Sequence, residues 1–408
     1  MAAAMLFSVL LPTHDRLEYL RYAVESVQRQ DDADWELVVS DNDSTDDIAG
    51  FVQGLGDERV RYVRTEGFVP VTENWNNALR HSRGDYVVML GDDDALLPGY
   101  LSGQRALIER FERPDAIYTG AYLYAYPGVL PDAPAGWLQP NLHASFFTGA
   151  AEPFVLPRSR ARELARAATD FRALYDFNMQ YVLVGRPAIE RLSGDGDFFR
   201  SPFPDYYAMN LLFAEAERIA VDPRPRVVIG ITKRSYGFFH FNRREKDARA
   251  LLATDGVDPE IRRDLAQIVL PGTNINTSWL LAVEALYRRL DRVADMRPNY
   301  ARYRRLQALY CEQARHLHRM ISRSELRQAE AGLAPAERAL LRVFGPILGA
   351  LVRVAPVSVR RAGATVFGRV VGQYGRAKQP EREIGRYRDI IEVLDRFEPA
   401  PRSPAPSR

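Results

Sequence analysis

Three acidic clusters carry most of the chemistry legible in this sequence: Pro12-Thr13-His14-Asp15-Arg16, Asp41-Asn42-Asp43-Ser44-Thr45-Asp46-Asp47 and Gly91-Asp92-Asp93-Asp94. Each follows an apolar run. Carboxylates gathered at one place repel unless a cation or hydrogen-bond donors balance them, so their convergence would suit a hard divalent ion with oxygen ligands, Mg²⁺ or Mn²⁺. Such an ion, with coordination positions to spare, can hold a diphosphate. No Gly-rich phosphate loop of the P-loop or dinucleotide type follows the first apolar run, so metal and side chains would bind the phosphates instead. That speaks against nucleoside triphosphatases and dehydrogenases.

The elements that must position these clusters follow from hydrophobic periodicity. Phe7 to Leu11 reads as a strand, and Leu17, Leu20, Val24 and Val27 recur at helical spacing behind it. The pattern repeats, with strands at Trp35–Val39, Val60–Val63 and Tyr86–Leu90 and helices at Ile48–Leu55 and Glu73–Ser82. The fourth strand shows no polar alternation, as expected of a parallel strand covered on both faces. Alternating strands and helices predict a doubly wound α/β sheet, in which ligands bind beyond the carboxyl ends of the strands. All three acidic loops fall at that edge.

Composition sets the outer bounds. The chain has 408 residues, 46% apolar and 26% charged, enough for a large domain and an appendage. Its 55 basic and 53 acidic residues leave a formal charge of +2, with no bulk nucleic-acid footprint. A single cysteine, Cys311, forms no intramolecular disulfide and fits a reducing, cytoplasmic setting. No basic residue precedes Pro12, so the start reads as a buried strand rather than a signal peptide. No run approaches the roughly 20 apolar residues needed to span a bilayer.

Pro-Thr-His-Asp-Arg at 12–16, Ser-Asp-Asn-Asp-Ser-Thr-Asp at 40–46, and Arg83-Gly84-Asp85-Tyr86 leading to Leu90-Gly91-Asp92-Asp93-Asp94 together resemble the family 2 glycosyltransferases. The likeness rests on order and spacing over residues 6–100 and weakens after about residue 120. It implies the glycosyltransferase A fold, a nucleoside-diphosphate sugar donor, an inverting mechanism and a divalent metal. Carried across by position, it puts Pro12, Thr13 and Asp15 near the nucleoside. It also puts Asp41 on the base, accepting a hydrogen bond from an imide N–H, which uracil or thymine would offer. The residues alone also allow Asp15 to cap the next helix, and Asp41, Asp43 and Ser44 to form Asx turns and a cap.

The triple Asp resembles the family's Asp-X-Asp motif, in which one carboxylate contacts ribose or metal and another ligates the metal. With Gly91 in the place of the usual first Asp, Asp93 is the main ligand; read as Asp92-X-Asp94, Asp94 is. The resemblance also places Asn74 and Asn76 where relatives carry donor-contacting residues, and packing on the helix surface would account for them equally. It makes Asp205, behind Pro204 at a helix start, the general base that takes the acceptor proton. Pro204 replaces the more usual Glu, and an acidic residue at a helix start is ordinary in itself. Val227 to Ile231 reads as a closing strand, after which His240 stands where relatives place a metal-binding His, among Phe238, Phe239 and Phe241 that would equally suit a packed histidine.

Residues 1–245 are therefore expected to form the catalytic domain, 246–395 a helical region and 396–408 a disordered tail. Between Arg338 and Pro380 no acidic residue occurs, while Arg342, Arg353, Arg360, Arg361, Arg369, Arg376 and Lys378 punctuate apolar segments. That pattern suggests peripheral contact with an anionic membrane and a lipid-linked acceptor. Gly345, Pro346 and Pro356 are expected to interrupt any long amphipathic helix there. Polysaccharide or glycolipid assembly in a bacterium is the setting the resemblance implies. Two rival classes share the acidic α/β edge: a metal-dependent nucleotidyltransferase, which would need a basic Gly-rich loop, and a non-catalytic sugar-nucleotide-binding scaffold.

Overall fold

The computed structural model describes residues 5–130, 135–235, 268–271, 275–316, 321–354 and 384–396. The first half alternates strand and helix as the periodicity predicts: β1 Phe7–Thr13, α1 Leu17–Gln28, β2 Trp35–Asp41, α2 Ile48–Gly54, β3 Val60–Arg64, α3 Val71–Arg80 and β4 Tyr86–Met89. Then come β5 Ala95–Leu96, α4 Tyr100–Arg110, β6 Ala116–Ala125, β7 Gly136–Asn141, β8 Phe154–Leu156, α5 Arg158–Thr169, β9 Val182–Gly185, α6 Arg186–Ser193, α7 Pro204–Glu215 and β10 Ile219–Ile231. From β1 to β4 the boundaries differ from expectation by one or two residues, the ordinary fraying of element ends, whereas β10 begins at Ile219, well before the expected Val227.

β1 lies between β2 and β4 and is parallel to both, and β3 continues the parallel run beyond β2. Past β4 the sheet turns antiparallel through β9 to β6 and β7, while β10 runs parallel to β6. This is a doubly wound mixed sheet, the architecture read from the sequence. β2 is buried along its whole length, and the largest core cluster joins both sheet faces to the flanking helices. β10 shifts register around Pro225, where a proline has no N–H for the ladder.

Behind the sheet, α8 Ile275–Arg289 packs on α5 and α7, and α9 Tyr300–His316, α10 Arg323–Glu330 and α11 Pro335–Val354 follow it. The anchor is Trp279: its indole N–H donates to the Ala168 carbonyl at 2.6 Å, and its ring lies against Phe177 and Tyr206. Trp279→Ala should therefore cost about 3–5 kcal/mol, read as a lower denaturation midpoint. An unchanged midpoint would mean that this contact does not hold the helices in place.

Two features of this region were not expected. α11 runs unbroken through Gly345 and Pro346; Pro346 removes one intrahelical bond, but Leu341 packs into the cluster formed by Ala308, Cys311, Leu326, Ala329 and Leu333. After that, β11 Gly385–Tyr387 adds an edge strand to β7, and α12 Ile390–Asp395 buries Ile390, Val393 and Leu394 beside Tyr124 and Tyr126. The stretch read as helical thus ends by returning to the first sheet. The expectations for residues 355–383 and for the tail from 397 onward lie outside the described residues.

Candidate active site

The sheet order changes direction at β1, with β2 on one side and β4 on the other, which opens a crevice above the carboxyl ends of these strands. Register does the positioning: Thr13 is paired with Asp41, and Leu90, at the end of β4, donates its N–H to the Leu10 carbonyl. The acidic loops are thereby brought to one edge.

At the centre stands a residue that the sequence did not single out for chemistry. Arg16 pairs with Asp92 at 2.9 Å and with Asp93 at 2.6 Å, and also donates to the Thr232 hydroxyl at 2.6 Å. Thr13 Oγ1 donates to the other oxygen of Asp92 at 2.8 Å, and the Ser235 hydroxyl donates to Asp93 Oδ2. Burial opposes the charge on Arg16, but Asp92 and Asp93 outweigh it and hold the guanidinium more firmly protonated than usual. Burial raises the Asp92 carboxyl above the ordinary range, against the pull of Arg16. Charge balance at this edge, expected from a metal, is here supplied in part by Arg16.

Asp94 does a different job. Its Oδ2 accepts the Gly91 N–H at 2.9 Å and the Gln180 amide at 2.6 Å, and its Oδ1 accepts the Gly230 N–H at 2.7 Å. Burial, and after it the charge of Asp93, raise its pKa well above the usual carboxylate value. With both oxygens engaged and only 2% of the residue exposed, Asp94 ties β10 to the β4 loop. To serve as the metal ligand of an Asp92-X-Asp94 motif, Asp94 would have to release these hydrogen bonds. Gly230 is required for the same closure, since a Cβ there would lie 1.8 Å from the Asp93 carbonyl oxygen.

On the β2 side, Asp41 is fully buried. Its Oδ1 accepts the Ser44 N–H at 2.9 Å, the Asx turn allowed by the sequence, and its Oδ2 takes the Tyr62 hydroxyl at 2.7 Å and Arg64 at 2.9 Å. Arg64, which pairs with Asp41, is exposed, and the His14 and Phe68 rings lie 4.9 Å apart with Phe68 52% exposed. Asp15 does not cap α1. Its backbone is left-handed, with φ of 50°, and its carboxylate accepts from the Thr45 N–H and hydroxyl and from the Asp46 N–H, bracing the two acidic loops. Slight burial would raise its pKa, but these hydrogen bonds outweigh it and lower it. The cap on α1 comes instead from Asp46, whose carboxylate accepts the Leu17 N–H. Pro12 lies within β1, one residue before Thr13.

Asn74 and Asn76 are buried and hydrogen-bonded to neighbouring elements, the packing that the sequence allowed beside a donor-contacting role. Asn74 exchanges hydrogen bonds with Ser40, and Asn76 brackets the backbone of Phe199 from both sides. By fixing Phe199, Asn76 positions the turn that leads into α7. Asp205 lies in the first turn of α7, partly exposed, and accepts its neighbour's N–H at 2.9 Å. Burial of its carboxyl pushes the pKa up to about 7, the value of a base poised for neutral pH. α7 packs on the turn Met179–Tyr181, whose Gln180 holds Asp94, so the base candidate and the acidic edge share one support. His240 lies outside the described residues.

For a hard cation the fit is narrow. Asp93 keeps 10% of its side-chain exposure, and its Oδ1 accepts no hydrogen bond among the described residues. No group of three or more metal-ligating residues gathers among the described residues. Asp93 with diphosphate oxygens and waters is nevertheless a normal arrangement for Mg²⁺, which is seldom caged by protein alone.

Residues 8–162 match the family described as Glycosyl transferase family 2. Among curated proteins, the chain is 41% identical over 98 residues to a Campylobacter jejuni GalNAc(5)-diNAcBac-PP-undecaprenol beta-1,3-glucosyltransferase, covering 23% of this chain and 32% of that one. It is 27% identical over 103 residues to an Escherichia coli UDP-Glc:alpha-D-GlcNAc-diphosphoundecaprenol beta-1,3-glucosyltransferase, covering 25% of this chain and 41% of that one. The matches thus span about a third to two fifths of these relatives' lengths. Among solved structures, Staphylococcus aureus TarS 1-349 aligns with a TM-score of 0.44 at 17% identity, over 83% of this chain and 92% of that one.

Proposed function

We propose that the chain, whose residues 8–162 match the glycosyl transferase family 2, has the glycosyltransferase A fold and transfers a sugar from a nucleoside-diphosphate donor to a hydroxyl of a glycan or lipid-linked acceptor, with inversion. One observation carries this reading: the Thr13, Arg16, Asp92 and Asp93 constellation stands at the switch point of the sheet, where a diphosphate would lie. The activities of the two relatives, both on diphosphate-linked undecaprenol sugars, support a lipid-linked acceptor and a bacterial envelope glycan as product. The donor's base is uracil or thymine, and the work is done in the cytoplasm.

Asp205 takes the proton of the acceptor hydroxyl as its oxygen attacks the anomeric carbon. The bond from that carbon to the diphosphate oxygen breaks with its electron pair leaving on the phosphate, so configuration inverts. Arg16, buried and fixed by two aspartates, supplies positive charge beside the leaving group from the outset. Asp93, through Oδ1, would hold Mg²⁺ or Mn²⁺, which when bound offsets charge on the diphosphate. Arg64, His14 and Phe68 flank the place of the base.

The direct test is thermal melting of the full chain with uridine, thymidine, guanosine and adenosine diphosphates, with and without Mn²⁺ or Mg²⁺. Saturation at about 100 times the Kd stabilises the folded state by about 2.7 kcal/mol. A metal-dependent rise with a uracil or thymine nucleotide is expected. No rise with any nucleotide would end the proposal, and a rise without transfer to any lipid-diphosphate sugar would favour a binding scaffold.

A further inference from the structure

α11 presents an uncovered apolar stripe. Leu340, Val343, Phe344 and Ile347 are 57%, 59%, 53% and 51% exposed, half of the large exposed hydrophobics among the described residues. Their spacing of three, four and seven places them on one face of the helix. The opposite side is already occupied: Leu341 packs into the cluster with Cys311 and Leu326, and Gly345 lies so close to α9 that a Cβ would fall 2.4 Å from Glu312 Cγ. Rotation of the helix therefore does not bury the stripe.

Charge identifies what covers it. The acidic residues around α11 are neutralised or hidden, with Glu330 paired to Arg342 at 3.0 Å, Glu337 paired to Arg305 at 2.7 Å, and Glu312 only 3% exposed. From Arg338 to Pro380 the sequence holds eight basic residues and no acidic one. Such a basic sequence in each of two copies would oppose their association, whereas an anionic lipid surface complements both the charge and the apolar stripe. No helix among the described residues is long and apolar enough to cross a membrane. We infer that α11 lies on an anionic bilayer with Leu340, Val343, Phe344 and Ile347 entering the acyl boundary. The inference is independent of the donor chemistry.

The test is flotation of the full chain with phosphatidylcholine vesicles, with and without phosphatidylglycerol, at low and high salt. Binding to the phosphatidylglycerol vesicles, weakened by salt and reduced about tenfold or more in Phe344→Ser/Ile347→Ser, is expected. Both sites are exposed, so the variant should keep the wild-type melting curve. Phe344→Trp should show blue-shifted emission on those vesicles alone. Failure to float with anionic vesicles at low salt overturns the inference, as does equal flotation of the double variant. A concentration-dependent oligomer dissolved by the same two substitutions would assign the stripe to a second copy and overturn it as well.

Discussion

Asp205→Asn is expected to slow sugar transfer by about 10²–10⁴-fold near neutral pH while leaving the donor's thermal shift intact. The carboxylate can accept the acceptor proton only when ionised, and burial places that ionisation at about 7 instead of 3.8. The wild-type kcat/KM should accordingly rise with pH and level off above about 7. Stability should run the other way. Between 3.8 and about 7 the unfolded chain releases a proton that the folded chain keeps, so rising pH destabilises the fold through this window. Asparagine removes that cost, so the variant should melt a few degrees above wild type in mildly alkaline buffer and converge with it in acid. Loss of rate with gain of stability cannot come from misfolding. Unchanged transfer, or a variant that melts lower and no longer responds to donor, would remove Asp205 from the mechanism.

How much of this could be read from sequence depended on the distance over which each residue acts. β1, β2 and β4 were legible because strands buried on both faces are continuous apolar runs, and the acidic loops were legible because they follow those runs directly. Arg16 was not, because an arginine at a helix start resembles any solvated surface residue, and its partners lie 76 and 77 positions away. The same holds for Asp94, whose acceptor role is fixed by Gly230 and Gln180, 136 and 86 positions distant. Asn74 and Asn76 share their residue type with ligand-contacting positions, and only the neighbouring backbone shows that they are spent on Ser40 and Phe199. β11 has three residues, too few for periodicity to register.

The adjacent carboxylates Asp93 and Asp94 should therefore fail in opposite ways. Asp93→Ala removes a carboxylate whose Oδ1 accepts no hydrogen bond among the described residues, while its partners Arg16, Thr232 and Ser235 keep other hydrogen-bonding options or reach water. The variant should fold with a near wild-type melting temperature, lose the metal-dependent part of the donor shift, and transfer sugar about 10²–10³-fold more slowly. Asp94→Ala leaves the Gly91 and Gly230 N–H groups and the Gln180 amide without an acceptor in a dry interior, at about 1–3 kcal/mol for each buried group. Its first symptom should be a lower denaturation midpoint, with donor response falling only as the fold does. Titrating Mn²⁺ against both variants at fixed nucleotide separates the two cases. If Asp94→Ala melted like wild type yet lost its metal dependence, while Asp93→Ala retained it, the ligand would be Asp94 and the hydrogen bonds that now saturate it would have to open whenever donor binds.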